Sequence, residues 1–260
     1  MKLFNFPQDS ADFDSEQLCS SPCSSSSSHD STNSQDSSSS CSDLNGAPHT
    51  TLVPTNISAL IFDIDNTLYT NAEYLDHQID VQLQRFADLE GISFCQAEKR
   101  VADARAAFAA AHGGAKTSFA LIMNSFGYSV EESIKWRSEL IQPEEYLKKD
   151  EKLRRILEKL ASRYKIISVT NNPVAIGWRN LKTIGIDDLF LDIVGLDTCF
   201  KSKPAREPFL KALEILCEPA EKCVSIGDRY DIDIATPLSL GMRGVLVDGS
   251  KELENLPFLR

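Results

Sequence analysis

Two aspartates one residue apart, Asp63 and Asp65, close an apolar run that begins near Ala59, and Thr67 follows them. In an extended chain, side chains alternate between faces, so Asp63 and Asp65 would share one. Past the strand end both can turn into one pocket. Carboxylates this close repel unless a cation or a shared proton lies between them. The pair therefore suggests a hard metal such as Mg²⁺ together with a second chemical role.

Other polar groups end the later apolar runs. Lys165–Val169 leads into Thr170, Asn171 and Asn172, and Cys223–Ile226 leads into Gly227 and Asp228, with Asp231 and Asp233 beyond. Between them Lys201, Ser202, Lys203 and Pro204 precede a helical pattern. Taken singly, each has a plain reading as a turn or a helix cap, Thr170-Asn171 especially. In open α/β sheets, however, ligands bind outside the carboxyl ends of the strands, where all of these fall.

The elements that must hold these groups are legible from periodicity. Short apolar runs at 59–64, 165–169, 191–195, 223–226 and 244–247 predict strands. Helical patterns at 151–162 and 207–217 alternate with the later strands, which implies a parallel sheet covered by helices. The first interval breaks this rhythm. Residues 73–89, 93–111, 117–126 and a segment capped by Ser129 and Glu132 all have helical character, and Pro143 is expected to end the last of them. An all-helical module at about 74–147, inserted into a core of 55–73 and 148–260, is the expected organisation.

Residues 1–54 are dominated by serine and have few apolar positions. Such a segment cannot bury enough surface to offset its ordering entropy, so a disordered tail is expected. The serine runs at 24–28 and 37–40 suit a solvating tail or phosphorylation sites. The chain has 260 residues, seven cysteines and a formal net charge of −11. The acidic balance argues against a nucleic-acid polymer as partner. No apolar stretch approaches the roughly 20 residues that cross a bilayer. A soluble cytoplasmic protein without a membrane partner is expected. The cysteines form no Cys-x-x-Cys pair and read as free thiols. Zinc held by Cys19, Cys23 and His29 would lack a fourth ligand.

In order and spacing, Asp63-x-Asp65-x-Thr67, Thr170, Lys203-Pro204 and Gly227-Asp228 followed by Asp233 resemble the haloacid dehalogenase (HAD) superfamily of phosphohydrolases over about residues 57–250. The resemblance implies an α/β, Rossmann-like core with the helical insert as a cap of the superfamily's first class, C1. It implies Asp63 as nucleophile, forming an aspartyl-phosphate, and Asp65 as general acid and then base. Mg²⁺ would lie between Asp63 and Asp228, with Asp233 behind and the Asp65 backbone carbonyl facing it. Thr67, Thr170, Asn171 and Lys203 would hold the phosphate. Lys201 and Asp231 are the rivals of Lys203 and Asp233. The dehalogenases that name the superfamily lack the second carboxylate, so Asp65 favours phosphate-ester hydrolysis.

The implied substrate is a small phosphorylated metabolite. The first motif looks like that of pyrimidine 5′-nucleotidase relatives, which suggests a nucleoside 5′-monophosphate; phosphoglycolate and small sugar phosphates are open as well. Two alternatives accompany this: a phosphoglucomutase-like phosphoryl transferase, and a non-catalytic phosphate-binding regulatory module. Substrate contacts in the cap would come from among Tyr69, Tyr74, His112, Lys116 and Phe119, each of which also has a packing role open to it. Arg229 either lines the site or pairs with a surface carboxylate.

Overall fold

A computed structural model describes residues 1–5, 56–114 and 117–259. In chain order these form β1 (Lys2–Phe4), β2 (Ala59–Phe62), α1 (Ala72–Glu90), α2 (Phe94–Ala111), α3 (Phe119–Ser125), α4 (Val130–Leu140), α5 (Pro143–Tyr146) and α6 (Glu151–Ala161). Then follow β3 (Lys165–Val169), α7 (Val174–Ile184), β4 (Ile193–Val194), α8 (Leu196–Cys199), α9 (Arg206–Leu216), β5 (Cys223–Gly227), α10 (Ala235–Ser239) and β6 (Arg243–Leu246).

The six strands make one sheet in the order β1-β6-β5-β2-β3-β4. All neighbours are parallel except β1 and β6. This is the expected α/β core. Successive residues of β2 are buried on opposite faces, because helices cover both. Leu60 and Phe62 pack with Ile166, Val224 and Ile226 beneath α6 and α7. Ala59 and Ile61 pack with Ile167 and Val169 against Phe209 and Leu216 of α9. The strand at 191–195 is shorter than expected, only Ile193–Val194.

One expectation fails at its first residues. Residues 2–4 lie within the segment read as a disordered tail, yet they pair antiparallel with β6, Leu3 opposite Val245. Leu3 packs against the core, and the pairing covers a sheet edge that would otherwise be open. The low-apolar composition of the segment as a whole hid these three residues. The rest of the tail, with its serine runs, Cys19, Cys23 and His29, lies outside the described residues, as does Lys116.

Helices α1 to α6 occupy the interval between β2 and β3. The first four share an apolar cluster built from Leu83, Phe86, Val101, Phe119, Met123 and Trp136. The capping box at Ser129 and Glu132 forms as its sequence predicts. Pro143 does not end α4, which stops at Leu140; it opens α5 at the first helical position, where its missing N–H costs nothing. Among the described residues no helix is long and apolar enough to cross a membrane.

Candidate active site

Register brings the polar strand ends together. Phe62 lies opposite Ser168 on one side and Ile226 on the other. Asp63, Thr170 and Asp228 therefore emerge at one edge of three adjacent strands. The Asp63 N–H continues the ladder to Ile226 O at 2.9 Å, which fixes the backbone where the acidic residue begins.

Asp63 is 4% exposed, and Lys203 and Asp233 are each 1% exposed. Lys203 Nζ donates to Asp63 Oδ1 at 2.6 Å and to Asp233 Oδ1 at 2.7 Å. Burial alone would lower the Lys203 ammonium's pKa; Asp233 and Asp63 beside it outweigh this and hold it above the usual lysine value. Burial pushes the Asp63 carboxyl up to about 7, against the pull of Lys203. Burial also raises Asp228.

Asp63, Asp228 and Asp233 offer ligand oxygens that lie within 4.8 Å of one another. Asp63 Oδ2 and Asp228 Oδ1 are buried without a hydrogen-bond donor. Two orphaned acceptors of this kind are costly, and a hard cation with oxygen ligands satisfies both. The donor set thus fits a divalent metal. Arg229 leans over the same group, its Nε 3.7 Å from Asp228 Oδ1 and 4.0 Å from Asp233 Oδ2. Of the two roles open to Arg229, the structure selects the one inside the site.

The turn after β5 shapes this cluster. Residues Tyr230–Ile234 form a π-helical turn that swings Asp233 back under the strand. Ser225 Oγ donates to Asp233 O at 2.7 Å, and the Arg229 N–H donates to Asp233 Oδ2 at 3.1 Å. Gly227 is required by this approach: a Cβ there would come within 2.4 Å of the Asp233 Cβ. Gly227→Ala is expected to destabilise the fold by about 1–3 kcal/mol in denaturant titration, through overpacking beneath the site.

The two aspartates that open the motif do not share an environment. β2 ends at Phe62, and a tight turn follows in which Asn66 adopts φ 58° and donates to Asp228 Oδ2 at 3.0 Å. The Asp65 carboxyl stands outside the acidic cluster and accepts three donors. These are Tyr69 OH and, at 2.9 Å, Gln78 Nε2 on Oδ1, and Asn172 Nδ2 on Oδ2 at 2.9 Å.

The remaining expected residues separate by role. Thr67 is buried and its hydroxyl has no partner, whereas Thr170 Oγ1 accepts the Asn172 N–H at 3.2 Å. Asn171 was expected on the phosphate, but both ends of its amide hold the Lys203 backbone: Lys203 N donates to Oδ1 at 2.6 Å and Nδ2 donates to Lys203 O at 3.2 Å. Its position one residue past Thr170 could not reveal that. Lys201 and Asp231 are exposed, which leaves Lys203 and Asp233 as the buried members. Tyr74 donates to Asn180 Oδ1 at 2.7 Å inside the core, and His112 stacks on Phe108.

A cavity of about 370 Å³ opens over this edge. Asp65, Asn66, Asp228 and Arg229 line it from the sheet side, and Gln78, Phe119 and Arg137 from the inserted helices. Sequence alone does not mark Gln78, Gln82 and Arg137 as site residues. They lie on helical segments whose periodicity marks only the apolar positions, and nothing local distinguishes a buried arginine from a solvated one.

A family model for haloacid dehalogenase-like hydrolases matches residues 57–241. A candidate pyrophosphatase, PpaX, of Caldanaerobacter subterraneus subsp. tengcongensis is 36% identical over 106 residues, 40% of this chain and 48% of that protein. A phosphoglycolate phosphatase of Aquifex aeolicus is 36% identical over 91 residues, 35% of this chain and 42% of the relative. The chain thus spans less than half the length of either relative. Among solved structures, a HAD phosphatase from Thermococcus onnurineus is similar in fold, with a TM-score of 0.50 at 24% identity over 74% of this chain and 86% of the other.

Proposed function

We propose a chemistry on the premise that this chain belongs to the haloacid dehalogenase-like hydrolase family. It is a Mg²⁺-dependent phosphohydrolase that releases phosphate from a small phosphorylated metabolite through an aspartyl-phosphate. One observation carries this reading: three carboxylates, Asp63, Asp228 and Asp233, converge around the buried Lys203 at the edge of a cavity sized for a small molecule. The relatives named for phosphoglycolate and pyrophosphate cleavage support the substrate class.

Mg²⁺ held by Asp63 and Asp228, with Asp233 behind them, would supply positive charge against the phosphate and so allow an anionic nucleophile to approach it. Asp63 attacks phosphorus through its carboxylate, which the Lys203 ammonium holds in place. Lys203 keeps Asp63 aimed and offsets charge in the transition state. Asp65 hands its proton to the departing oxygen, then takes one from the water that cleaves the aspartyl-phosphate. The inserted helices act as a lid that excludes bulk water from the cavity.

A metal that binds only the folded protein must stabilise it, by about 2.7 kcal/mol at a hundredfold excess over Kd. Mg²⁺ is therefore expected to raise the melting temperature of the wild type and not that of Asp228→Ala. The same cation should start turnover of p-nitrophenyl phosphate, EDTA should stop it, and added Mg²⁺ should restore it. Turnover indifferent to EDTA and to Asp228→Ala would reject the metal role. A panel of phosphorylated metabolites, with phosphoglycolate and nucleoside 5′-monophosphates among them, then identifies the leaving group.

A further inference from the structure

Arg137 of α4 is 7% exposed, and no carboxylate lies within ion-pairing distance of it among the described residues. Its Nε donates to Gln82 Oε1 at 3.0 Å, and its Nη1 donates to Asn171 O at 2.8 Å and Asn172 Oδ1 at 3.0 Å. Burial pulls its pKa down to about 10, which leaves it cationic at neutral pH, with Asp65 as the charge that opposes the shift. A lone buried cation is expensive unless it answers a charge nearby.

We infer that Arg137 is the positioning residue of the Asp65 carboxyl, acting through Asn172 and Gln78. A guanidinium has donors only, so the side-chain atom that Asn172 turns toward it must be the oxygen. That leaves Asn172 Nδ2 facing Asp65 Oδ2 at 2.9 Å and Gln78 Oε1 at 2.8 Å. Because Gln78 accepts there with its oxygen, its Nε2 points to Asp65 Oδ1 at 2.9 Å. One cation thereby fixes the Asn172 amide and, through it, reinforces the direction of Gln78, from which Tyr69 OH also accepts at 3.1 Å; each amide holds a different oxygen of Asp65. Without it Asn172 Oδ1 loses the donor that anchors it, and the amide pair holds the plane of the Asp65 carboxyl less firmly. Gln78 and Arg137 come from the inserted helices, so the acid–base group at the sheet edge is oriented from the lid.

This inference rests on Asp65 being the general acid of the proposed reaction, and leaving-group basicity separates the two. Phenolate needs a proton on departure more than p-nitrophenolate does, so a misaligned acid slows phenyl phosphate more. The full chain with Mg²⁺ is assayed on both esters as wild type, Asp65→Asn, Arg137→Met, Arg137→Lys and Gln78→Met. Arg137→Met and Gln78→Met are expected to lose about tenfold more kcat on phenyl than on p-nitrophenyl phosphate. Arg137→Lys, also a donor only, should keep the ratio closer to wild type. Equal losses on both esters in Arg137→Met and Gln78→Met, with an unequal loss in Asp65→Asn, would overturn the positioning role and leave the acid in place. Equal losses in Asp65→Asn would remove the acid itself, and the inference with it. Should Arg137→Met fail to fold, Gln78→Met decides the matter, since it removes one donor to Asp65 and leaves the cation.

Discussion

Asp63→Asn is expected to abolish turnover of p-nitrophenyl phosphate, by about four orders of magnitude or more, while the chain still folds. The amide keeps an oxygen where Oδ1 accepts Lys203 Nζ at 2.6 Å, so the surroundings survive. Lys203 also retains its bond to Asp233 at 2.7 Å, and its charge stays paired. What disappears is the carboxylate charge, which the proposed reaction needs both for attack and for holding the metal. Steady-state kinetics beside a thermal melt checks both halves of this result. A folded variant with wild-type turnover would reject Asp63 as nucleophile.

The second large effect belongs to Lys203→Met, and it has two parts. The ammonium is 1% exposed and stands between two carboxylates that are nearly as deeply buried. Removing one partner of a buried ionic group leaves the others uncompensated and costs about 3–5 kcal/mol. Because two of the candidate metal ligands are the groups left unpaired, Mg²⁺ should recover part of that loss. Denaturant titration with and without Mg²⁺ measures it. Activity is expected to fall about 10²–10³-fold, the scale for losing one fixed charge against a transition state. A variant as stable and as active as wild type would show that Lys203 only fills space.

How much of this was legible in the chain depends on range. The strand that delivers Asp63 is written in a continuous apolar run, because a strand buried on both faces has no other composition open to it. The helical character of residues 73–142 is equally local, being carried by apolar spacing and by the capping box at Ser129. Of the residues named as rivals, Lys203 and Asp233 are buried while Lys201 and Asp231 are exposed, a difference that motif spacing anticipates.

What escaped was set by contacts between distant residues. Asp65 was read beside Asp63 as though strand alternation extended that far, yet the turn at Asn66 separates their surroundings. Arg137 and Gln78 meet Asp65 only because α1 and α4 pack over the sheet edge, and a polar residue on a helix carries no mark of that. The resemblance implies a phosphate contact for Asn171, whose amide instead faces the backbone of Lys203, 32 residues on. The strand at Lys2–Phe4 escaped for a different reason: three residues are too few to show against the serine-rich composition that follows.

The most direct measurement traps the covalent state. Asp65→Asn removes the base of the second step, so the variant, mixed with substrate and Mg²⁺ and quenched, should carry one phosphoryl group. Mass spectrometry is expected to find it on the peptide that contains Asp63. A phosphoryl group on another residue, or full turnover with none detectable at any quench time, would contradict the account.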